Sequence, residues 1–187
     1  MKEFFSKHWV AVLSLVLAIL IVVPLSAGIS LNIKSNKCFS SFEKSAVKNQ
    51  GHGQTMSSDM DTLIAAASNC LDAAERMLGD DDYSFKNARD AIKDYKSLKR
   101  QHLRYKACLD ICRLIDICRL IDVVYSACGG ENADDITIVA QYNQMLSSKA
   151  KIFNYANVDY ESAKQKQAKL LSGFPAKYIA EFFNIGE

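Results

Sequence analysis

The side chains with which this 187-residue chain could do chemistry are six cysteines and three histidines. His8, His52 and His102 lie far apart and share no ligand spacing, and a lone histidine supplies one of the three or four ligands a metal site needs. No metal site is expected. Cys108 and Cys112 are one helical turn apart, where a disulfide is disfavoured. An i,i+4 pair on an intact helix holds its Cα atoms near the upper limit for bridging, and its Cβ vectors do not converge. The chemistry left to them is a thiol switch, which requires an exposed, low-pKa thiolate. Arg104, Lys106 and Arg113 supply positive charge nearby, so Cys108 and Cys112 are the candidate redox residues. Against this, Cys70, Cys108, Cys112 and Cys118 lie among apolar neighbours, which favours small buried hydrophobes carrying free thiols. No phosphate loop, nucleophile elbow or dinucleotide glycine pattern occurs. No catalytic residue and no cofactor are expected, and the chain does not read as an enzyme.

The formal net charge is +2, too small for strong attraction to nucleic acid. The best candidate binding surface is the basic run Lys93, Lys96, Lys99, Arg100, Arg104 and Lys106. Lys93, Lys96, Arg100 and Arg104 share a helix face at i,i+3 and i,i+4 spacing. Near an anionic leaflet each would add ~1 kcal/mol of attraction. Asp90 and Asp94 balance the run, and a solvated face is the favoured reading. A tandem repeat, ICRLID twice over residues 111–122, sets acids and bases every third residue: Asp110, Arg113, Asp116, Arg119, Asp122. A period of three slips by ~60° per step on a helix of 3.6 residues per turn, so this line spirals instead of gathering into a site.

These residues are positioned by helices. Two prolines and eight glycines in the whole chain favour long helices over a sheet. Residues 9–33 carry no formal charge and are largely apolar, long enough to cross a bilayer core of ~30 Å. Trp9 suits the membrane–water interface. The competing reading is a secretory signal with Leu25-Ser26-Ala27 as a cleavage site. Leu25 stands where a small residue is preferred, and the uncharged run continues past it, so a retained anchor is favoured. Lys2 and Lys7 precede the span, and Lys34, Lys37, Lys44 and Lys48 follow it, which leans toward a cytoplasmic C-terminal domain. The organisation is then a flank at residues 1–8, a membrane helix at 9–33 and a helical domain at 34–187.

The membrane helix is expected to continue to Lys48 and stop at the glycines of residues 49–53. Ser58, with Asp61 as its capping-box partner, would start a second helix, with Leu63, Ala67, Cys70, Ala74 and Met77 as its seam and Gly79 as its end. Asp80, Asp81 and Asp82 would open a third. No Gly or Pro interrupts residues 83–128, which predicts one helix of roughly 65–70 Å, with Ala88, Ile92, Tyr95, Leu98, Tyr105 and Cys112 along its seam and Gly129-Gly130 at its end. Asn132 and Asp135 would cap a fourth, with Val139, Leu146, Phe153 and Tyr160 in one seam and Tyr142, Ala156, Ala163 and Leu170 in the other. Gly173 and Pro175 end it. Residues 176–183 make a last short helix, whose Ile179, Phe182 and Phe183 would close the bundle end. The fold class expected is all-α, an elongated antiparallel up-and-down four-helix bundle after a single transmembrane helix.

The tail FPAKYIAEFFNI, residues 174–185, resembles the closing signature of the LemA family in its Phe174-Pro175, Ile179-Ala180 and Phe183. Phe153-Asn154 and Asp159-Tyr160 resemble that family's paired Tyr-Asn steps. Arg119-Leu120-Ile121, Val123 and Tyr125 resemble its Arg-Leu-Leu…Val…Tyr segment. The chain departs from the family in lacking its Trp-containing first helix and Asp-Leu-Ile-Pro-Asn-Leu step. It also has Gly129-Gly130 for a Pro-containing turn, and fourteen residues from Tyr160 to Phe174 where the family has seven. The resemblance implies a single-pass protein of the bacterial cell membrane carrying an elongated helical bundle. It brings no established enzymatic activity. The function expected is a non-enzymatic scaffold or adaptor of the LemA type, held in the bilayer through residues 9–33. It would present helical faces to unidentified protein partners or to a second copy, and not to nucleic acid. Two other classes stay open: a thiol-based redox or stress sensor using Cys108, Cys112, Cys118 or Cys128, and an exported soluble helical protein.

Overall fold

The computed structural model describes residues 2–48, 54–78, 85–117 and 120–186. They are mostly helical, with no strand among them. In chain order the described helices are α1 (Lys2–Lys37), α2 (Ser40–Ala46), α3 (Met56–Leu78), α4 (Lys86–Tyr95), α5 (Gln101–Ile117), α6 (Leu120–Ala127), α7 (Ala133–Ser172) and α8 (Ala176–Phe183). The chain divides into two compact units. One comprises Met1–Ser40 with Glu161–Glu187, and the other Ser41–Tyr160.

Several helix boundaries follow from local chemistry. Asn132 caps α7 as expected, its Oδ1 accepting the Asp135 N–H at 2.8 Å. Helix α7 ends at Ser172, before Gly173 and Pro175, and α8 occupies the predicted 176–183. Asn184, with φ 50°, closes α8 in the left-handed conformation, and the Ile185 N–H bonds back to the Ala180 carbonyl at 3.0 Å.

Three expectations are corrected. The first helix does not continue to Lys48: a turn at Cys38–Phe39 separates α1 from α2. The capping box of α3 is formed by Thr55 and Ser58, not by Ser58 and Asp61. The Ser58 N–H donates to Thr55 Oγ1 at 3.1 Å, and the Thr55 N–H donates to Ser58 Oγ at 3.0 Å. The third correction is that residues 83–128 are not one helix. The path breaks at residues 96–100, between α4 and α5. Ser97 turns its hydroxyl onto the Asp94 carbonyl at 2.7 Å, and the Ser97 and Leu98 amides close three-residue turns on Asp94 and Tyr95. A side chain that serves the backbone locally competes with continuation of the helix. The predicted stop at 49–53, the end at Gly79 and the opening at Asp80–Asp82 lie outside the described residues.

In the Ser41–Tyr160 unit, α3 buries Met60, Leu63, Ile64, Ala67, Cys70, Leu71 and Ala74. Ala88, Ile92 and Tyr95 of α4 are buried as expected, and so are Tyr105 and Cys112 of α5. Phe42, Tyr105 and Tyr160 form a three-ring cluster with centroids 4.6–5.5 Å apart. Edge-to-face and tilted pairs at this spacing add ~0.5–1.5 kcal/mol each beyond burial. On α7 Ile138, Met145 and Ile152 are buried, one residue before the expected Val139, Leu146 and Phe153, of which Leu146 and Phe153 are exposed, while Tyr160 is buried as expected. Ala156 of the companion seam is buried here, and Ala163 is buried in the other unit.

In the other unit, Gly28, Leu31 and Ser35 form the buried face of α1. Gln167 Nε2 of α7 donates to Ser35 Oγ at 2.8 Å. Helix α8 packs on α1.

Candidate functional site

The densest group of ionisable side chains joins α2, α3, α4 and α5. The Glu43 carboxylate accepts the backbone N–H groups of Gln101 at 2.9 Å and His102 at 3.0 Å, and also meets His102 Nδ1. It caps the N-terminus of α5 from another helix, where orphan donors and the positive dipole end favour a carboxylate. Partial burial raises the Glu43 pKa, but the hydrogen bonds from His102 and Gln101 outweigh it and hold the carboxyl below its ordinary range. Next to it, Arg104 donates to Ser57 Oγ at 2.9 Å, to Gln101 Oε1 at 3.2 Å and to the Tyr95 hydroxyl at 2.6 Å. Arg104 also pairs with Asp61, which in turn accepts the Tyr95 hydroxyl at 3.1 Å. Burial pushes the Tyr95 phenol up, so it stays a neutral donor. The donors and acceptors of this group are spent on one another, and it acts as a clasp between helices.

Cys108 and Cys112 are buried, 2% and 3% exposed. The cleft over them, lined by Leu63, Leu109, Lys149, Ile152 and Phe153, has a volume of about 10 Å³. That is at the lower limit for a single water molecule. Burial pushes the Cys112 thiol up to about 11 and the Cys108 thiol higher still. A thiol held protonated in a closed cleft is the opposite of a reactive thiolate. Of the other described cysteines, Cys70 is buried with its thiol toward the Ile138 carbonyl, Cys38 is half-buried and Cys128 is exposed. Cys118 lies outside the described residues.

The basic run does not form one face. Lys93 is on α4, Lys96, Lys99 and Arg100 are in the turn, and Arg104 points into the clasp. Of the spiral of charges, Arg113 and Asp110 lie 3.6 Å apart, and Asp116 reaches Lys149 at 3.2 Å. Arg119 lies outside the described residues. No group of three or more His, Cys, Asp or Glu side chains is placed to hold a metal ion among the described residues.

The larger concavity is apolar. Leu20, Ile21, Pro24 and Leu25 of α1, with Phe174, Pro175 and residues of α8, line an open groove of about 680 Å³. The residues that carry the tail resemblance fall here. Ile179 and Phe183 line the groove, Ala180 is buried, and Phe174 is 87% exposed. Helix α8 turns Phe183 onto Gly28 of α1, and Ile179 and Phe182 line the same groove, Phe182 with 78% of its surface exposed. Phe153, Asn154 and Tyr160 belong to the Ser41–Tyr160 unit, with Phe153 and Asn154 exposed and Tyr160 in the aromatic cluster. Trp9 is exposed on α1. Glu43, Gly28 and Ser35 were not singled out by sequence, and Asp61 was singled out only as a local cap, since each works through a partner distant in the chain. Compared with protein-family models, curated proteins and solved structures, the chain matches none.

Proposed function

We propose that this protein is a membrane-anchored, non-enzymatic helical scaffold or adaptor of the LemA type. It is single-pass in a bacterial cell membrane, with its helical domain on the cytoplasmic side. The observation that carries this reading is α1. One helix among the described residues is long and apolar enough to cross a membrane, over Ala11–Lys37, and only 6% of its apolar window is buried. The core helix of a soluble protein would be mostly covered. Retention, as opposed to cleavage, is supported by α8. Cutting after Ala27 would remove Leu20, Ile21, Pro24 and Leu25, one wall of the groove on which α8 rests. The finer architecture that goes with this reading is an elongated antiparallel four-helix bundle. The buried Cys108 and Cys112 weigh against the sensor reading.

The test is an intact mass from the membrane fraction, combined with labelling of Cys128 by a membrane-impermeant maleimide. The expected result is a full-length mass and no labelling of intact cells until they are permeabilised. A mass beginning at Gly28 overturns the anchor and favours the exported form. Labelling of Cys128 in intact cells overturns the cytoplasmic orientation. A scaffold role predicts that replacing Cys108, Cys112, Cys118 and Cys128 by serine or alanine leaves partner binding unchanged, and a loss would favour the sensor.

A further inference from the structure

Helix α8 is amphipathic, with one broad apolar arc opposite Lys177 and Glu181. Ala176, Ile179, Ala180 and Phe183 face inward, with Ala180 buried and Phe183 on Gly28. Tyr178 and Phe182, with Phe174 just before the helix, form the uncovered edge of the same arc, lining the groove over α1 while 63%, 78% and 87% exposed. The arc is wider than its contact with α1 covers, and a contiguous exposed apolar patch of this kind marks a surface that meets another apolar phase.

The level of α8 along α1 says which phase. Its groove is lined by Leu20, Ile21, Pro24 and Leu25, which stand nine to fourteen residues before Lys34. At 1.5 Å per residue this is roughly 14–21 Å from the first flanking charge, well inside a hydrocarbon core of ~30 Å. We propose that α8 is a second membrane element, with Phe174, Tyr178 and Phe182 solvated by the acyl chains of the bilayer beside α1. This rests on the reading of α1 as a retained anchor.

The uncharged approach and the closed ends of α8 fit a lipid phase, while its two charges oppose it, because a charged side chain is costly at the centre of a membrane helix. Lys177 and Glu181 carry the formal charges of α8, opposite in sign, one turn apart and 4.0 Å from each other. The approach through residues 170–176, LLSGFPA, is uncharged. Lys164, Lys166 and Lys169 precede it, and Lys34 and Lys37 end α1, so basic side chains of both segments can reach the headgroups. In hydrocarbon every backbone N–H and C=O must be satisfied within the protein. At the start of α8 the Lys177 N–H bonds to the Gly173 carbonyl at 2.9 Å, the Ile179 N–H bonds to the Pro175 carbonyl at 3.2 Å, and Pro175 has no N–H to satisfy. At its end the Asn184 turn returns the Ile185 N–H to Ala180.

Depth-resolved tryptophan quenching tests this in the full-length protein, reconstituted into phosphatidylcholine vesicles. Trp9, the single tryptophan, is replaced by Phe. Phe182→Trp and, separately, Phe174→Trp report on α8, and Val16→Trp reports on α1 away from the groove. The quenchers are lipids brominated on the acyl chains, and aqueous iodide. The expected result is that all three reporters lose most of their emission to the brominated chains and little to iodide. Quenching of Val16→Trp by bromine while both α8 reporters respond to iodide overturns the proposal and leaves the anchor standing. The same Val16→Trp result with both α8 reporters shielded from both quenchers also overturns it, in favour of a second copy covering that edge. Quenching of Val16→Trp by iodide alone overturns the anchor, and the proposal with it.

Discussion

The ring of Phe183 rests on the bare Cα of Gly28. A methyl group built at Gly28 would stand 2.6 Å from Phe183 Cδ2 and 2.7 Å from Cε2, closer than carbon atoms approach. The glycine is therefore the seat of α8 on α1, and its role is close approach, not a turn. Gly28→Leu is expected to displace α8, at an overpacking cost of about 1–3 kcal/mol at that contact. Lys177, on the displaced helix, becomes the readout. Trypsin should cut after Lys177 faster in the Gly28→Leu protein than in the wild type, with cleavage in the Ser41–Tyr160 unit unchanged.

Glu43 caps a helix that begins 58 residues later in the chain. Glu43→Ala leaves the first amides of α5 without their acceptor and is expected to cost about 1–3 kcal/mol. Glu43→Gln keeps an acceptor but loses the charge and should cost less. The folded carboxyl is held below its ordinary value of 4.5. Its contribution is therefore present above the unfolded pKa and is lost as the pH falls through the folded one. The stability difference between wild type and Glu43→Gln should be constant at neutral pH and close on acidification below about pH 4.5. Urea unfolding followed by circular dichroism at a series of pH values measures it.

What could be read from the sequence was local. Asn132 caps α7 through an amide three residues away, and Gly173 and Pro175 end it, so both boundaries were visible in a short window. The break between α4 and α5 was not visible, because residues 96–100 contain neither Gly nor Pro. The N-terminus of α5 is made possible by Glu43, on another helix. The seam of α7 was misplaced by one residue for a different reason. Ile138-Val139, Met145-Leu146 and Ile152-Phe153 are adjacent apolar pairs at seven-residue intervals, and hydrophobicity alone does not choose between members of such pairs. Packing selected Ile138, Met145 and Ile152. The same holds for the basic run, where Arg104 was drawn inward by Asp61, a residue assigned from sequence to a helix cap.

The two candidate redox residues make a kinetic prediction. With burial raising Cys112 to about 11 and Cys108 further, the Cys112 thiolate fraction near neutral pH is roughly one in a thousand or less. In the native protein, maleimide should modify Cys128 first and Cys38 more slowly, with Cys108 and Cys112 labelled only after addition of denaturant. Peptide mass mapping of a labelling time course distinguishes the sites. Rapid native labelling of Cys108 or Cys112 would restore the sensor reading.

Arg104 and Asp61 differ in how much each leaves behind when it is removed. The Arg104 side chain is 13% exposed and that of Asp61 is 59% exposed. Arg104→Met removes the donor to Ser57, Tyr95 and Asp61, leaving the Tyr95–Asp61 hydrogen bond in place, and it also removes the guanidinium stacked 4.9 Å from the Tyr95 ring centroid. Asp61→Asn leaves Arg104 still bonded to Tyr95, Ser57 and Gln101. Arg104→Met is therefore expected to destabilise by about 1.5–3 kcal/mol, the range for hydrogen bonds to charged groups, and Asp61→Asn by less. Because the two side chains touch, their effects should not add. A double-mutant cycle by urea unfolding should return a coupling energy of about 0.5–3 kcal/mol. A coupling near zero would mean that the clasp is held by Tyr95 and Ser57, with Asp61 a surface charge beside it.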